Sequence, residues 1–297
     1  MQEKIGIIGL GRVGLPAARA FMIAGYQVFG TDKRPEIKNV LEDLGGIHIE
    51  SPEKLAGKTK IILVMVLNDS QVEEVISGDQ GLLKSTTPGS VIVCMSTVNR
   101  ATLETQARKC RKNHIGFVDC PFTGGPARIP SGNLTLIAAG LEEDLKKVSP
   151  VLEVIGKINL VGHRPGLGQA VKHCNQLLVG VTHAATMEVI IMARELGLDA
   201  SQVREIIASG IAGSDYFRLL SQSVIQKTPS PGGLEQMCKD VAIVVNTTRE
   251  IRFPAYTIAG ASKYFSMAEA SGMQDREGAD LIEIVEKTFD KKDEPSI

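Results

Sequence analysis

The sequence predicts an α/β domain with a mostly parallel sheet over residues 1–164, followed by an all-helical domain over 165–297 built around one long helix. Three observations predict it. Through the first half, short β-branched apolar runs alternate with helix-length segments, the pattern of βαβ units whose strands are buried on both faces. Near Gly162-His163-Arg164-Pro165-Gly166 the strand signals cease and helical periodicity takes over. The chain has 297 residues, room for two domains of about 150.

The elements follow in order. Residues 5–8 read as the first strand, 13–24 as a helix and 27–30 as the second strand. Strands are expected at 60–66, 90–95 and 115–118, with a helix over 100–112; further strands fit 134–139 and 157–160. Each run is bounded by Gly, Pro or Asp, residues that break strands. The long helix spans 168–195 and stops at Gly197, a C-cap glycine. At 1.5 Å per residue it is roughly 42 Å long. Helices then fit 201–212, 216–226, 234–251, 255–270 and 279–288, and the charged tail 290–297 is expected to fray.

Composition narrows the function. Lys plus Arg is 33 against 34 Asp plus Glu, a net charge of −1, which gives no electrostatic case for nucleic acid or an anionic membrane as partner. Aromatics are 4% with no Trp, so platforms for stacking bases are scarce. The 5 Cys form no CxxC pair, and no His, Cys and acid share a metal-ligand spacing, so neither a disulfide framework nor a metal site is expected. A reducing compartment fits. No unbroken apolar run reaches the ~18–20 residues of a membrane span. The start, Met1-Gln2-Glu3-Lys4, leads directly into a strand rather than a signal peptide. Together these predict a cytoplasmic protein.

Gly9-Leu10-Gly11-Arg12-Val13-Gly14 matches GxGxxG between a strand and a helix, the context in which it marks a Rossmann-type phosphate loop. The first Gly makes the turn, the second admits the pyrophosphate and the third lets helix and strand pack. The helix N-terminus offers unpaired N–H groups to the phosphates. Asp32 ends the second strand, about 20 residues after the middle glycine, where an acid binds the ribose hydroxyls and repels a 2′-phosphate. NAD is favoured over NADP, with Lys33 and Arg34 working against that preference.

Two further segments carry chemistry: Asp119-Cys120-Pro121-Phe122-Thr123-Gly124-Gly125, continuing through Ser131-Gly132-Asn133-Leu134, and Gly166-Leu167-Gly168-Gln169-Ala170-Val171-Lys172-His173-Cys174-Asn175-Gln176. With the dinucleotide loop and Lys239-Asp240, in that order, the chain resembles the β-hydroxyacid dehydrogenases, including 3-hydroxyisobutyrate dehydrogenase and tartronate semialdehyde reductase. The resemblance implies that Lys172 is the catalytic acid/base and that Asn175 and Lys239 line the substrate site. Thr123, Gly124 and Gly125 would hold the substrate carboxylate. Val66, Leu67, Asn68, Ser96, Thr97 and Lys239 would meet the cofactor. The family's usual Ser is Thr123 here, its second Asn is Gln176, and Arg128 stands where a small residue is usual. Arg128 either binds a second polar group on the substrate or points to solvent.

The chemistry suits these residues. Hydride transfer from a hydroxyl-bearing carbon needs a base for the hydroxyl proton, and the reverse reaction needs an acid. Lysine serves both if its pKa falls from ~10.4 toward the working pH. Burial and a second cation such as Lys239 push it that way. Lys172, Asn175 and Gln176, at i, i+3 and i+4, share one helix face.

The resemblance implies reversible NAD-linked hydride transfer on a small 3-hydroxy acid. The alternatives are a reductase of a small polar or anionic semialdehyde, a threonate-type dehydrogenase, and a non-catalytic NAD-binding scaffold. Imine reductases share the fold but carry Asp or Tyr at the lysine position. Phosphogluconate dehydrogenase is far longer and has Lys-x-x-His-Asn. The long helix is apolar on several sides, including Val179, Val181, Val189, Ile190 and Ile191, which predicts a homodimer or homotetramer.

Overall fold

The computed structural model describes residues 3–289. The tail 290–297, expected to fray, lies outside the described residues. The chain divides into two compact units, Met1–Lys172 and His173–Ile297.

The first unit contains β1 (Lys4–Ile8), α1 (Gly14–Ile23), β2 (Gln27–Thr31), α2 (Glu36–Asp43), β3 (Ile47–His48), α3 (Pro52–Ala56), β4 (Ile61–Val64), α4 (Asp69–Ser77), β5 (Val91–Cys94), α5 (Arg100–Lys112), β6 (Gly116–Asp119), β7 (Phe122–Thr123), β8 (Leu134–Gly140), α6 (Glu142–Leu152) and β9 (Gly156–Gly162). The nine strands form one sheet ordered β3-β2-β1-β4-β5-β6-β8, with β7 and β9 also on β8. Pairing is parallel from β3 to β6 and antiparallel where β6 and β7 meet β8. β9 returns parallel to β8.

Side-chain alternation explains why helices cover both faces. Ile5, Ile7, Leu63, Val91 and Val93 point into one core with Phe21 of α1 and Val148 and Leu152 of α6. Their neighbours Ile62, Val64, Ile92 and Cys94 point into another core with Val72 and Ile76 of α4 and Leu103 and Cys110 of α5. A parallel sheet buried on both faces needs apolar residues at consecutive positions, and these strands supply them.

Helix α7 (Leu167–Glu195) carries the chain across the division. It ends at Gly197, whose φ of 71° lets Gly197 N and Leu198 N bond back to Arg194 O and Ala193 O. The second unit continues with α8 (Ala200–Ser209), α9 (Asp215–Gln226), α10 (Leu234–Glu250), α11 (Tyr256–Ala270) and α12 (Ile282–Phe289), the last preceded by a 3-10 turn, Gly278–Leu281. Its core gathers Met187, Ile190 and Ile191 of α7 with Leu220, Val241, Ile258 and Phe265.

One expectation is corrected. Ile190 and Ile191 fill their own unit's core, so they do not face a second subunit; the exposed apolar residues of α7 include Leu178 and Met192. By length and composition alone α7 is long and apolar enough to cross a membrane, although no unbroken apolar run in it is, because its polar residues are spread thinly. Half of its most apolar 18-residue stretch is buried within the structure.

Candidate active site

The expected cofactor residues gather at the carboxyl ends of four adjacent strands, β2, β1, β4 and β5. Open α/β sheets bind ligands at this edge. Gly9 turns the chain out of β1 with φ of 89°. A Cβ on Gly14, the first residue of α1, would sit 1.9 Å from the Gly9 carbonyl oxygen, so the helix can start this close only with glycine there. A Cβ on Gly11 would meet nothing nearer than Arg34 Nη2 at 3.8 Å. The space over Gly11 is therefore open. Val13 at the N-cap of α1 offers no side-chain bond, and the first turn holds no acid. An open glycine beneath an uncapped helix start fits a pyrophosphate. Arg12 is exposed beside it.

Asp32 lies at the end of β2. The backbone N–H of Leu10 donates to Asp32 Oδ2 at 2.7 Å. Arg34 donates its Nε to Oδ1 at 2.9 Å and its Nη2 to Oδ2 at 3.0 Å. Burial pushes the Asp32 carboxyl up, but the Arg34 and Leu10 donors outweigh it and hold the group below the usual carboxylate range. Lys33 turns away to Glu74 at 2.7 Å. Of the two cations expected to weaken the NAD preference, only Arg34 stays beside the acid.

After β4, Ser96 Oγ donates to the Val66 carbonyl at 2.6 Å, and the Leu67 N–H donates to Gln71 Oε1 at 2.8 Å. Asn68 Oδ1 accepts from Gln71 N at 3.0 Å, so its side chain caps α4. Ser96 and Thr97 are buried.

Thr123 ends β7, and Gly124 and Gly125 follow with φ of 119° and 75°. The 3-10 turn Pro126–Arg128 then folds back: Arg128 N donates to Gly125 O at 3.2 Å. Asn133 N donates to Arg128 O at 3.0 Å. The Arg128 side chain is exposed, and its Cδ lies 2.9 Å from where a Cβ on Gly124 would be. It runs along the glycine loop.

Asp119 ends β6 and is fully buried. It bonds the start of α7, accepting from Gly166 N at 2.8 Å and Gln169 N at 3.1 Å on one oxygen and from Gln169 Nε2 at 3.0 Å on the other. Burial outweighs these bonds and pushes its carboxyl up to about 6. Sequence reasoning quoted Asp119 and Gln169 within motifs and gave neither a role.

Lys172 lies on α7 and is buried. In the second unit, Asn175 Nδ2 donates to Gln176 Oε1 at 2.8 Å, and Gln176 Nε2 donates to Asp240 Oδ2 at 2.7 Å. Lys239 Nζ is 2.9 Å from Asp240 Oδ1. The adjacent His173 ring bonds Thr247 Oγ1 at 3.0 Å, a packing role. Cys94 and Cys110 are pushed up to about 12 by burial, too high for a nucleophile at neutral pH. Among the described residues no three His, Cys, Asp or Glu are grouped to hold a metal ion.

The NAD-binding domain family of 6-phosphogluconate dehydrogenase matches residues 4–166, and the NAD-binding family of NADP-dependent 3-hydroxyisobutyrate dehydrogenase matches 166–285. The L-threonate dehydrogenase of Cupriavidus necator is 30% identical over 286 residues, 96% of each chain. The 2-hydroxy-3-oxopropionate reductase of Escherichia coli is 30% identical, covering 95% of this chain and 97% of its own. The crystal structure of a 3-hydroxyisobutyrate dehydrogenase from Salmonella typhimurium superposes with a TM-score of 0.88 at 27% identity, over 95% of this chain and 100% of that one. Family matches that together span residues 4–285, and relatives 30% identical over nearly the whole chain, make the chain a member of the β-hydroxyacid dehydrogenase family, the NAD(P)-dependent oxidoreductases that act on the CH–OH group of hydroxy acids.

Proposed function

We propose that the protein transfers hydride reversibly between NAD and a small 3-hydroxy acid that carries a second polar group, in the manner of threonate or of glycerate, the reduced form of tartronate semialdehyde. The observation that carries the substrate class is Arg128 laid along Gly124, which sets a guanidinium beside the loop expected to hold the carboxylate. A hydroxyl or anion at the far end of the substrate suits its fork of donors. Hydroxyisobutyrate, with a methyl there, offers that fork no acceptor. The names of the relatives at 30% identity support the same class.

Bound cofactor supplies the hydride acceptor or donor. In oxidation, Lys172 as the free amine takes the hydroxyl proton while the hydride leaves the same carbon. In reduction, the ammonium returns that proton to the forming hydroxyl. Thr123, Gly124 and Gly125 hold the carboxylate, and Asn175 and Lys239 orient the hydroxyl end. Gly9, Leu10, Gly11, Arg12, Val13 and Gly14 cradle the pyrophosphate. Val66, Leu67, Asn68, Ser96 and Thr97 line the nicotinamide side, and Asp32 selects NAD over NADP through the ribose. Residues 1–164 form the NAD-binding domain, which also lends its glycine loop to the substrate, and residues 165–297 form the helical domain for substrate and assembly. Leu178 and Met192, 66% and 58% exposed on α7, suit a homodimer or homotetramer. The setting is cytoplasmic.

The test is a panel of threonate, glycerate and hydroxyisobutyrate with NAD and NADP, and of tartronate semialdehyde with NADH and NADPH, run on wild type and Lys172→Ala. The polar substrates turn over best, with NAD for the hydroxy acids and NADH for the semialdehyde, and the variant loses at least ~100-fold in both kcat and kcat/KM with unchanged NADH binding. Near wild-type turnover without Lys172 would overturn the assignment. No turnover of any substrate by the wild type would favour the scaffold.

A further inference from the structure

We propose that Asp119 and Gln169 are positioning residues for the reaction, tying the first turn of α7, and with it Lys172, to the backbone of residues 96–98. The proposal rests on the acid/base reading of Lys172 and on the cofactor reading of Ser96 and Thr97, and goes beyond both.

The Gln169 side chain is fully buried and uses both ends. Its oxygen accepts from Val98 N at 3.1 Å. Its amide nitrogen donates to Ser96 O at 3.0 Å and to Asp119 Oδ1 at 3.0 Å. Water does not reach the group, so no solvent bond replaces any of these when it moves. Asp119 grips the same turn through its other oxygen, which accepts from Gly166 N and Gln169 N. The helix start is also pressed home. A Cβ on Gly168 would lie 2.8 Å from Ile137 O and 2.9 Å from Asp119 Cγ, so only glycine permits this approach.

The result is a fixed spacing between two pieces of backbone. One is the segment of residues 96–98 after β5. The other is the turn that leads into Lys172, three residues and about 4.5 Å of helix axis beyond Gln169. Hydride and proton leave neighbouring atoms of one substrate, so the nicotinamide side and the base must hold their separation. A misplacement of about 1 Å costs on the order of 100-fold in rate. A carboxylate and a carboxamide sharing one N–H···O bond, each also bonded to backbone, resist shear better than an apolar contact, which is non-directional. A staple needed only for folding would raise stability and leave the kcat of folded enzyme unchanged.

The experiment compares wild type, Gln169→Met, Asp119→Asn and Lys172→Ala. Met matches Gln in length and makes none of its bonds. Asn replaces one acceptor oxygen with a donor facing donors. For each protein, the melting temperature, the NADH dissociation constant by fluorescence, and kcat and KM for the best acid are measured, with kinetics run well below the melting temperature. The expected result for Gln169→Met is a kcat at least ~10-fold lower, with the NADH dissociation constant and KM within about 3-fold of wild type. Asp119→Asn follows the same pattern. A Gln169→Met kcat within about 2-fold of wild type, beside an inactive Lys172→Ala, overturns this proposal and leaves the reading of Lys172 standing. An active Lys172→Ala overturns both. A loss confined to KM or to NADH binding also overturns it. If neither Gln169→Met nor Asp119→Asn folds, the pair is a folding staple and the proposal fails.

Discussion

Gln176 donates its side-chain amide to Asp240 across 2.7 Å, joining α7 to α10 through a carboxylate with no exposed surface. Lys239 pairs with the other oxygen of Asp240, and Asn175 donates back to Gln176. A buried charge with two polar partners becomes expensive to remove, because the partners stay behind. Asp240→Leu is expected to cost about 3–5 kcal/mol and to lower the melting temperature by roughly 10 °C or more in calorimetry. A drop of a degree or two would mean that Lys239 and Gln176 find water instead.

Asp32→Ser releases Arg34 from its pairing while keeping a ribose hydrogen bond. The freed guanidinium, beside Gly11, then meets a 2′-phosphate that the acid had repelled. The ratio of kcat/KM for NADP over NAD is expected to rise at least ~10-fold, the scale of one charge-assisted hydrogen bond. Steady-state kinetics with both cofactors measure it. A wild type that already prefers NADP contradicts the role given to Asp32.

Arg128→Ala should discriminate among substrates rather than weaken all of them. The loss on threonate or tartronate semialdehyde is expected to exceed that on hydroxyisobutyrate by ~1.5–3 kcal/mol in kcat/KM, the worth of a hydrogen bond to a charged group. Equal losses across the panel would make the Arg128 side chain a brace for its glycine loop, through its packing along Gly124.

His183 gives the second unit a pH dependence with a definite sign. Its Nε2 faces the Gly278 carbonyl and its Nδ1 the Tyr216 hydroxyl, both at 2.9 Å. A carbonyl only accepts, so Nε2 carries the proton and Nδ1 accepts from Tyr216. Burial lowers the imidazole from 6.5 to about 4. Above pH 6.5 the ring is neutral whether the chain is folded or not. As pH falls from about 6.5 to 4, the unfolded chain takes a proton that the folded chain refuses, and stability falls by an order-of-magnitude 3 kcal/mol. Asp119, raised to about 6 by burial, acts oppositely, its penalty being relieved as pH falls from about 6 toward 3.8. Denaturant unfolding of wild type and His183→Gln across this range isolates the histidine. The variant should lack the acid slope, and parallel curves would rule the histidine out as its source.

The strands that stand out most in the sequence are buried apolar runs, such as Ile61–Val64, buried at all but its first residue, and Val91–Cys94, buried throughout. Apolarity there is obligatory and stands out. β3 and β7, of 2 residues each, leave no periodicity to read. Helix α2 buries only Leu41, and α4 buries Val72, Val75 and Ile76 of its 9 residues, so both blend into polar sequence. The dinucleotide loop was legible because its glycines and Asp32 sit at fixed intervals. The Asp119–Gln169 pairing was not, because the two residues are 50 positions apart and neither type announces a partner. From sequence alone Arg34 is a cation of either role, beside the acid or on a phosphate. Its fork on Asp32 depends on the backbone bend after β2, which no residue pattern fixes.

The two ends of the sheet differ in what they present to other chains. β3 closes one end with a ladder of 2 residues, too short to guide a neighbouring strand. The other end is β9, with 7 residues, exposed Leu160 and Lys157 along it, and pairing to β8 that shifts between Ala138 and Ala139. A strand with a break in register twists away from flatness, and a charged side chain on it resists stacking. Asn159 turns its amide inward to the Leu136 and Lys157 carbonyls. The molecule thus keeps a long sheet free of a straight, sticky border, and the guard against edge-to-edge aggregation is concentrated in this one strand.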